Sequence, residues 1–105
     1  MATHNVNLNE KGTPDPRDIG VINRGDIVSF SVGSVNIVLC LPAAVFGAER
    51  IEIPAGNTAA VGIKPDARLG FFKYWCCDAK TINKRTCGEV ETESLGDPGT
   101  GTVGG

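Results

Sequence analysis

Apolar residues in this chain come in short runs broken by turn-forming residues, so two-residue alternation is the signal that organises it. Residues 4–8 alternate weakly and predict a first strand. Residues 10–18 contain Lys-Gly-Thr-Pro-Asp-Pro, whose prolines cannot serve a central ladder, and predict a loop. Residues 19–32 read as two strands around an Asn23-Arg24-Gly25-Asp26 turn, with Val28, Phe30 and Val32 on one face. Residues 35–41 are almost continuously apolar, which suits a strand buried on both faces, and Pro42 ends it. Residues 43–48 are too few for a stable helix and include Gly47, so an irregular connection is expected. Strands follow over 49–53 and 58–63, joined by Pro54-Ala55-Gly56-Asn57, and a turn over 65–70 leads into the most aromatic strand, 71–77. Phe72, Tyr74 and Cys76 fall on one face of that strand, and Phe71, Lys73, Trp75 and Cys77 on the other. The segment 86–93 alternates Glu89, Glu91 and Glu93 with Val90 and Thr92, as a last strand with an acidic, wet face would.

The final ten residues hold five glycines and a proline, a composition that buries little apolar surface against its ordering entropy. The expectation is one β-sandwich domain over residues 1–95 followed by a Gly-rich flexible tail over 96–105. About seven or eight short strands with turns at regular spacing predict an all-β, antiparallel Greek-key β-sandwich.

Two segments carry a family resemblance. Ile22-Asn23-Arg24-Gly25-Asp26-Ile27-Val28-Ser29-Phe30 resembles the V-x-x-G-D-x-V-x-F/W hairpin of the cupredoxins, the plastocyanin-like copper domains, and Gly70-Phe71-Phe72-Lys73-Tyr74-Trp75-Cys76 resembles their G-x-Y-x-F/Y-x-C strand. Val35-Asn36-Ile37-Val38 and Ile53-Pro54-Ala55-Gly56 are similar in order and spacing to the strand and turn between them, so the resemblance spans roughly residues 19–79. It implies a cupredoxin-like sandwich, with an immunoglobulin-like topology as the other arrangement of such strands. A blue-copper centre needs two imidazoles and one thiolate, usually with an axial Met. Cys76 matches the ligand cysteine, but His4 and Met1 are the only His and Met, and the positions corresponding to the two histidines fall near Val35 or Asn36 and near Ala79. The resemblance therefore implies the frame of a copper site without its ligands.

The remaining chemistry lies in four cysteines, Cys40, Cys76, Cys77 and Cys87, with no C-x-x-C pair. Thiolates at Cys76, Cys77 and Cys87 would suit a soft metal or a redox role, and Lys73, Lys80, Lys84 and Arg85 are near enough in sequence to favour ionisation. Adjacent Cys76 and Cys77 point to opposite faces of a strand, which disfavours a shared ion and makes buried or incidental thiols the simpler reading. A Cys77–Cys87 disulfide, or Cys76–Cys87 in its place, would close the 78–86 loop. Trp75 beside Lys73 offers a partner surface, unless the loop covers the indole. No serine has a nearby histidine, and Gly99-Thr100-Gly101 lacks a phosphate-loop lysine, so no catalytic residue, cofactor or metal is assigned.

A net charge of −2, with 21% charged residues, gives no basic footprint for nucleic acid. No apolar run reaches the ~20 residues of a membrane span. The first ten residues lack a basic and an apolar region of the secretory kind, so a cytoplasmic protein is expected, or a periplasmic or secreted one if a signal has been removed. The function expected is a non-enzymatic, metal-free binding or assembly module for an unknown protein or small ligand. Homo-oligomerisation through exposed sheet edges is compatible with it. The alternative is a thiol-based redox or Cu/Zn protein using Cys76, Cys77 and Cys87.

Overall fold

The computed structural model describes residues 1–10, 12–82 and 84–104. Their strands form two sheets packed face to face. The first sheet has the order β2-β1-β4-β7, from Pro14–Asp15, Thr3–Leu8, Ile27–Val32 and Thr58–Gly62. The second has the order β3-β9-β8-β5-β6, from Asp18–Asn23, Asp97–Gly104, Gly70–Asp78, Ile37–Cys40 and Arg50–Ile53. This is the β-sandwich that the alternation predicts, with its sheets mixed: β1 runs parallel to β4 and β3 parallel to β9, and the other pairings are antiparallel.

The turns do more than reverse the chain. Asp26 N–H donates to the Asn23 carbonyl at 3.0 Å, closing the expected tight turn, but the strands on either side belong to different sheets. The Pro54–Asn57 turn likewise carries the chain from β6 in one sheet to β7 in the other. Each is a corner of the sandwich, and together they place consecutive apolar faces against each other.

The main core lies between the sheets. Val6, Val28 and Phe30 of the first sheet meet Ile37, Leu39, Phe72, Tyr74 and Cys76 of the second. Phe30 and Tyr74 pack edge to face across it, with ring centroids 5.6 Å apart, and Phe46 meets Phe72 in the same way at 5.5 Å. All four residues of β5 are buried, as the continuous apolar run predicts.

Three expectations are corrected. Residues 43–48 begin with one helical turn, α1 (Ala43–Phe46), closed by Gly47 in the left-handed conformation at φ 76°. The segment expected as the last strand is helix α3 (Cys87–Glu93), preceded by a shorter one, α2 (Ala79–Ile82). Thr86 caps α3: its side chain accepts from Glu89 N–H at 3.1 Å while the Glu89 carboxylate accepts from Thr86 N–H at 3.2 Å. That reciprocal pair is the S/T-x-x-E capping box, and it overrides an alternation that only imitated a strand.

The third correction concerns the expected tail. Residues 97–104 form β9, hydrogen-bonded on both sides, to β3 and β8, inside the five-stranded sheet. Its core-facing glycines lie opposite aromatic residues, with Gly101 paired to Phe72 and Gly99 to Tyr74. A Cβ on Gly101 would come within 2.5 Å of Phe72 Cζ, and one on Gly99 would overlap the Tyr74 ring. Rings from β8 occupy the space that side chains on β9 would need, so the glycines are a packing requirement and the strand buries its apolar surface through its neighbour.

Gly99→Ala is therefore expected to lower stability by about 1–3 kcal/mol, the usual cost of overfilling a packed core. Urea unfolding checks it; an unchanged midpoint would mean that Tyr74 does not lie on Gly99.

Candidate functional site

β8 divides the candidate chemistry between two environments. Phe72, Tyr74 and Cys76 face the main core, whereas Trp75 and Cys77 contribute to a second cluster on the outer face of the five-stranded sheet. That cluster comprises Val38, Cys40 and Cys77 of the sheet with Ile82 of α2 and Val90 of α3, flanked by Trp75, Ala79, Cys87 and Leu95. The β8–β9 connection therefore forms a third layer laid over the sheet.

A disulfide fastens this layer. It joins Cys40, the last residue of β5, to Cys87, the first of α3, with the Cα atoms 5.4 Å apart. The pairings Cys77–Cys87 and Cys76–Cys87 are thus replaced by Cys40–Cys87, and Cys76 and Cys77 are free and buried. Register gives the reason. Cys40 stands beside Trp75, two residues before Cys77, and α3 begins over the Cys40 end, where Cys87 Sγ lies 3.5 Å from the Glu49 carbonyl oxygen. The distance between Cys40 and Cys87 in the sequence, 47 residues, hides this proximity.

Next to the disulfide runs an open groove of about 340 Å³, lined by Pro42, Glu49, Lys73, Trp75, Cys87 and Glu91 among others. The Lys73 ammonium sits 5.8 Å from the centroid of the Trp75 ring, a cation–π arrangement. Trp75 is half-buried, with part of the indole against the second cluster and part on the groove. The structure thus brings Trp75 and Lys73 together, and adds Glu49 and Glu91 to the lining, which local sequence did not place there.

The expected frame of a copper site is also recognisable. Ala79 N–H donates to the Asn36 carbonyl at 2.9 Å, and β5 runs beside β8 with Leu39 opposite Cys76. The positions that the resemblance assigned to the two imidazoles therefore meet at the Cys76 end of the strands. They carry an amide and a methyl group, and Asn36 Oδ1 is occupied by Ala55 N–H at 2.8 Å. Cys76 is fully buried, and that burial pushes its thiol well above the usual range. The chain's only imidazole, His4, lies at the opposite end of the strands, where β3 and β9 terminate at Asn23 and Gly104. A copper ion of the cupredoxin kind does not fit these residues. Cys76, Cys77 and Cys87 are not gathered as three thiols either: Cys76 lies in the main core, and of the two at the second cluster Cys87 is bonded to Cys40. Among the described residues no three of His, Cys, Asp and Glu converge as a metal site.

His4 is held by Asp26. Its Nε2 donates to Asp26 Oδ2 at 2.9 Å, while Ala2 N–H donates to Oδ1 and Asn23 N–H to Oδ2, each at 3.0 Å. The hydrogen bond from His4, followed by those from the two amides, holds the Asp26 carboxyl well below the usual carboxylate range. Sequence placed Asp26 in a turn and His4 at the start of the first strand; the parallel register of β1 on β4 joins them.

No protein-family model matches the chain, and no curated protein sequence matches it. Solved structures do. A Sinorhizobium pseudoazurin superposes with a TM-score of 0.59 at 20% identity, covering 100% of this chain and 76% of that one. A purple cupredoxin from Nitrosopumilus maritimus gives 0.56 at 15% identity, covering 95% of this chain and 98% of that one. A pseudoazurin from Methylobacterium extorquens gives 0.54 at 16% identity, covering 97% and 75%. The fold is a cupredoxin-like β-sandwich, and in this chain it lacks the copper-ligand histidines and methionine. Similarity at this identity establishes the architecture alone.

Two predictions test the contacts just described. Because the Asp26 carboxyl is depressed, its contribution to stability is fully present above the ordinary aspartate value, ~3.9, and is lost as pH falls through the lower folded value. Asp26→Asn should lower the melting temperature at neutral pH and flatten the decline below pH ~4 in a series of thermal melts; an acid limb as steep as wild type would remove Asp26 from this role. Reducing Cys40–Cys87 reopens a long loop, for which chain-entropy arguments give a loss of up to about 4 kcal/mol. Denaturant curves with and without reductant measure that loss, and coincident curves would contradict it.

Proposed function

We propose that this chain is a non-enzymatic, metal-free binding or assembly module on a cupredoxin-like scaffold. The observation that carries the reading is the substitution at the former ligand end: Asn36, Ala79 and a core-packed Cys76, with the sole imidazole engaged by Asp26 at the other end. The groove beside Cys40–Cys87 is the surface best suited to binding. It offers an aromatic ring and an ammonium group with two acidic residues in its lining, which favours a ligand with both apolar and charged parts.

The disulfide supports residence in an oxidising compartment, periplasmic or extracellular, over the cytoplasm. No helix among the described residues is long and apolar enough to cross a membrane. The thiol-based alternative has less support, since Cys77 is the only cysteine of its trio that is both free and on the groove side of the sheet, and burial raises its thiol.

A native mass spectrum of the unreduced protein, recorded after adding one equivalent of Cu(II), tests the reading. The expected result is an unmetallated chain lighter by the two hydrogens of one disulfide, with no intense visible thiolate band. Stoichiometric copper with such a band would overturn it. Trp75 is the only tryptophan, so its emission reports the groove directly. A ligand that shifts this emission should lose about tenfold in affinity, ~1.4 kcal/mol, in Lys73→Ala.

A further inference from the structure

We infer that the free edge of β7 is a self-pairing surface, on which a second copy of this chain adds antiparallel to make one continuous eight-stranded sheet. The inference rests on the assembly reading above, and it names the surface and the partner that this reading leaves open.

A sandwich of two open sheets has four edges, and here they are β2 and β7 in one sheet and β3 and β6 in the other. Three of them carry devices that discourage pairing. β2 is two residues long, begins with Pro14 and is followed at once by Pro16. β3 starts at Asp18 and loses register with its neighbour between Asp18 and Val21. β6 alternates Arg50 and Glu52 with its apolar residues. β7 reads Thr58-Ala59-Ala60-Val61-Gly62, with no charge, no proline and an unbroken register on β4.

The hydrogen-bond phase identifies which groups β7 leaves open. Val32 N–H donates to the Asn57 carbonyl, and Ile63 N–H donates to the Asp26 carbonyl. Both are residue pairs in the β4–β7 register, so the hydrogen-bonded pairs alternate from them: Phe30 with Ala59 and Val28 with Val61. Thr58, Ala60 and Gly62 must therefore direct their N–H and C=O groups away from β4, toward the free edge. All three residues are exposed, and a Cβ added at Gly62 would meet nothing within 4 Å.

This set is self-complementary. A two-fold axis at Ala60 pairs Ala60 with Ala60, Thr58 with Gly62 and Gly62 with Thr58, and each pair exchanges both of its open bonds. Centring the axis on Ala59 would leave Gly62 opposite Gly56, whose N–H is bonded to the Gly33 carbonyl, and centring it on Val61 would leave Thr58 opposite Lys64, whose N–H is bonded to the Val45 carbonyl. Centring it on Thr58 or Gly62 would leave part of the open set unmatched. In the Ala60 register Lys64 falls opposite Gly56 of the second copy, so like charges do not meet. The outward side chains, Thr58, Ala60 and the hydrogen of Gly62, are small enough for sheet continuation without obstruction. Every open group of one copy is met by its counterpart in the other, with no like charges and no bulky side chain between them, so a second copy fits this edge. A five-residue pairing buries far less than the ~800 Å² per partner of a stable interface, so the dimer is a weak one. The groove lies on the outer face of the other sheet and stays open in both copies.

Sedimentation equilibrium over a wide concentration range, with wild type and two variants, tests the inference. Wild type should move reversibly from monomer to dimer. Ala60→Pro deletes a donor that faces away from β4, so circular dichroism and the melting temperature should report a folded monomer while the dimer dissociation constant rises at least about tenfold. Ala60→Cys should form an intermolecular disulfide under mild oxidation, because directly opposed hydrogen-bonded residues lie ~5.5 Å apart, within disulfide reach. Thr58→Cys should not, since its own copy would lie roughly 13 Å away, four residues along the partner strand. A wild type that stays monomeric throughout would overturn both the inference and the assembly reading. A dimer that persists in Ala60→Pro would overturn the β7 surface and leave the assembly reading standing, and one that crosslinks through Thr58→Cys and not Ala60→Cys would overturn the pairing centred on Ala60.

Discussion

The contact on which the rest of this structure depends is the seating of two aromatic rings on two glycines. Tyr74 and Phe72 of β8 lie over Gly99 and Gly101 of β9 so closely that a methyl group on either glycine would strike the ring. Burying these rings between the sheets is a large apolar gain, and Phe30 and Phe46 extend it by packing edge to face against them. One cost accompanies it: the Tyr74 hydroxyl is buried without a hydrogen-bond partner among the described residues, and burial drives its pKa upward. The ring's apolar contact outweighs that penalty only while β9 stays devoid of side chains at the two positions.

From this seam the outer layer follows. Once β8 and β9 are adjacent, the eighteen residues between them, 79–96, must return over the sheet on which both strands lie. Ile82 and Val90 supply the apolar contacts of that return, and Thr86 with Glu89 sets where α3 begins. The position of α3 in turn brings Cys87 over Cys40 and fixes one wall of the groove that Trp75 and Lys73 share. The groove is thus a consequence of packing two layers on one strand's two faces.

Much of this was legible in the sequence where local pattern and tertiary demand agree. The alternation of β8, the continuous burial of β5 and the Asn23–Asp26 turn could be read directly, because side-chain period and turn chemistry are local properties. β9 could not, since its glycines look like a disordered tail until the rings opposite them are known. In α3, glutamates at every second position imitate a strand, although Thr86 and Glu89 already spelled a cap. Of the site, Trp75 and Lys73 were visible as neighbours on one face. The disulfide partner of Cys87, the carboxylates of the groove and the His4–Asp26 pair depend on register between distant segments, which no single stretch records.

The same separation explains how the scaffold can hold the shape of a copper site and not its chemistry. Cys76 sits where a ligand thiolate would, yet its neighbours make it a small buried hydrophobe: Ile37 and Leu39 lie in the same core, while Gly12 and Gly96 lie against its backbone carbonyl. Asn36 contributes hydrogen bonds that tie the turn at Ala55 and the start of α2 to β5. Asn36 and Cys76 are thus engaged in holding strands together, and on the outer face Lys73 lies at the indole of Trp75 in a groove that Glu49 and Glu91 also line. With the Cys76 end given over to packing, the groove lies on one sheet and the unpaired edge of β7 on the other, so neither surface obstructs the other.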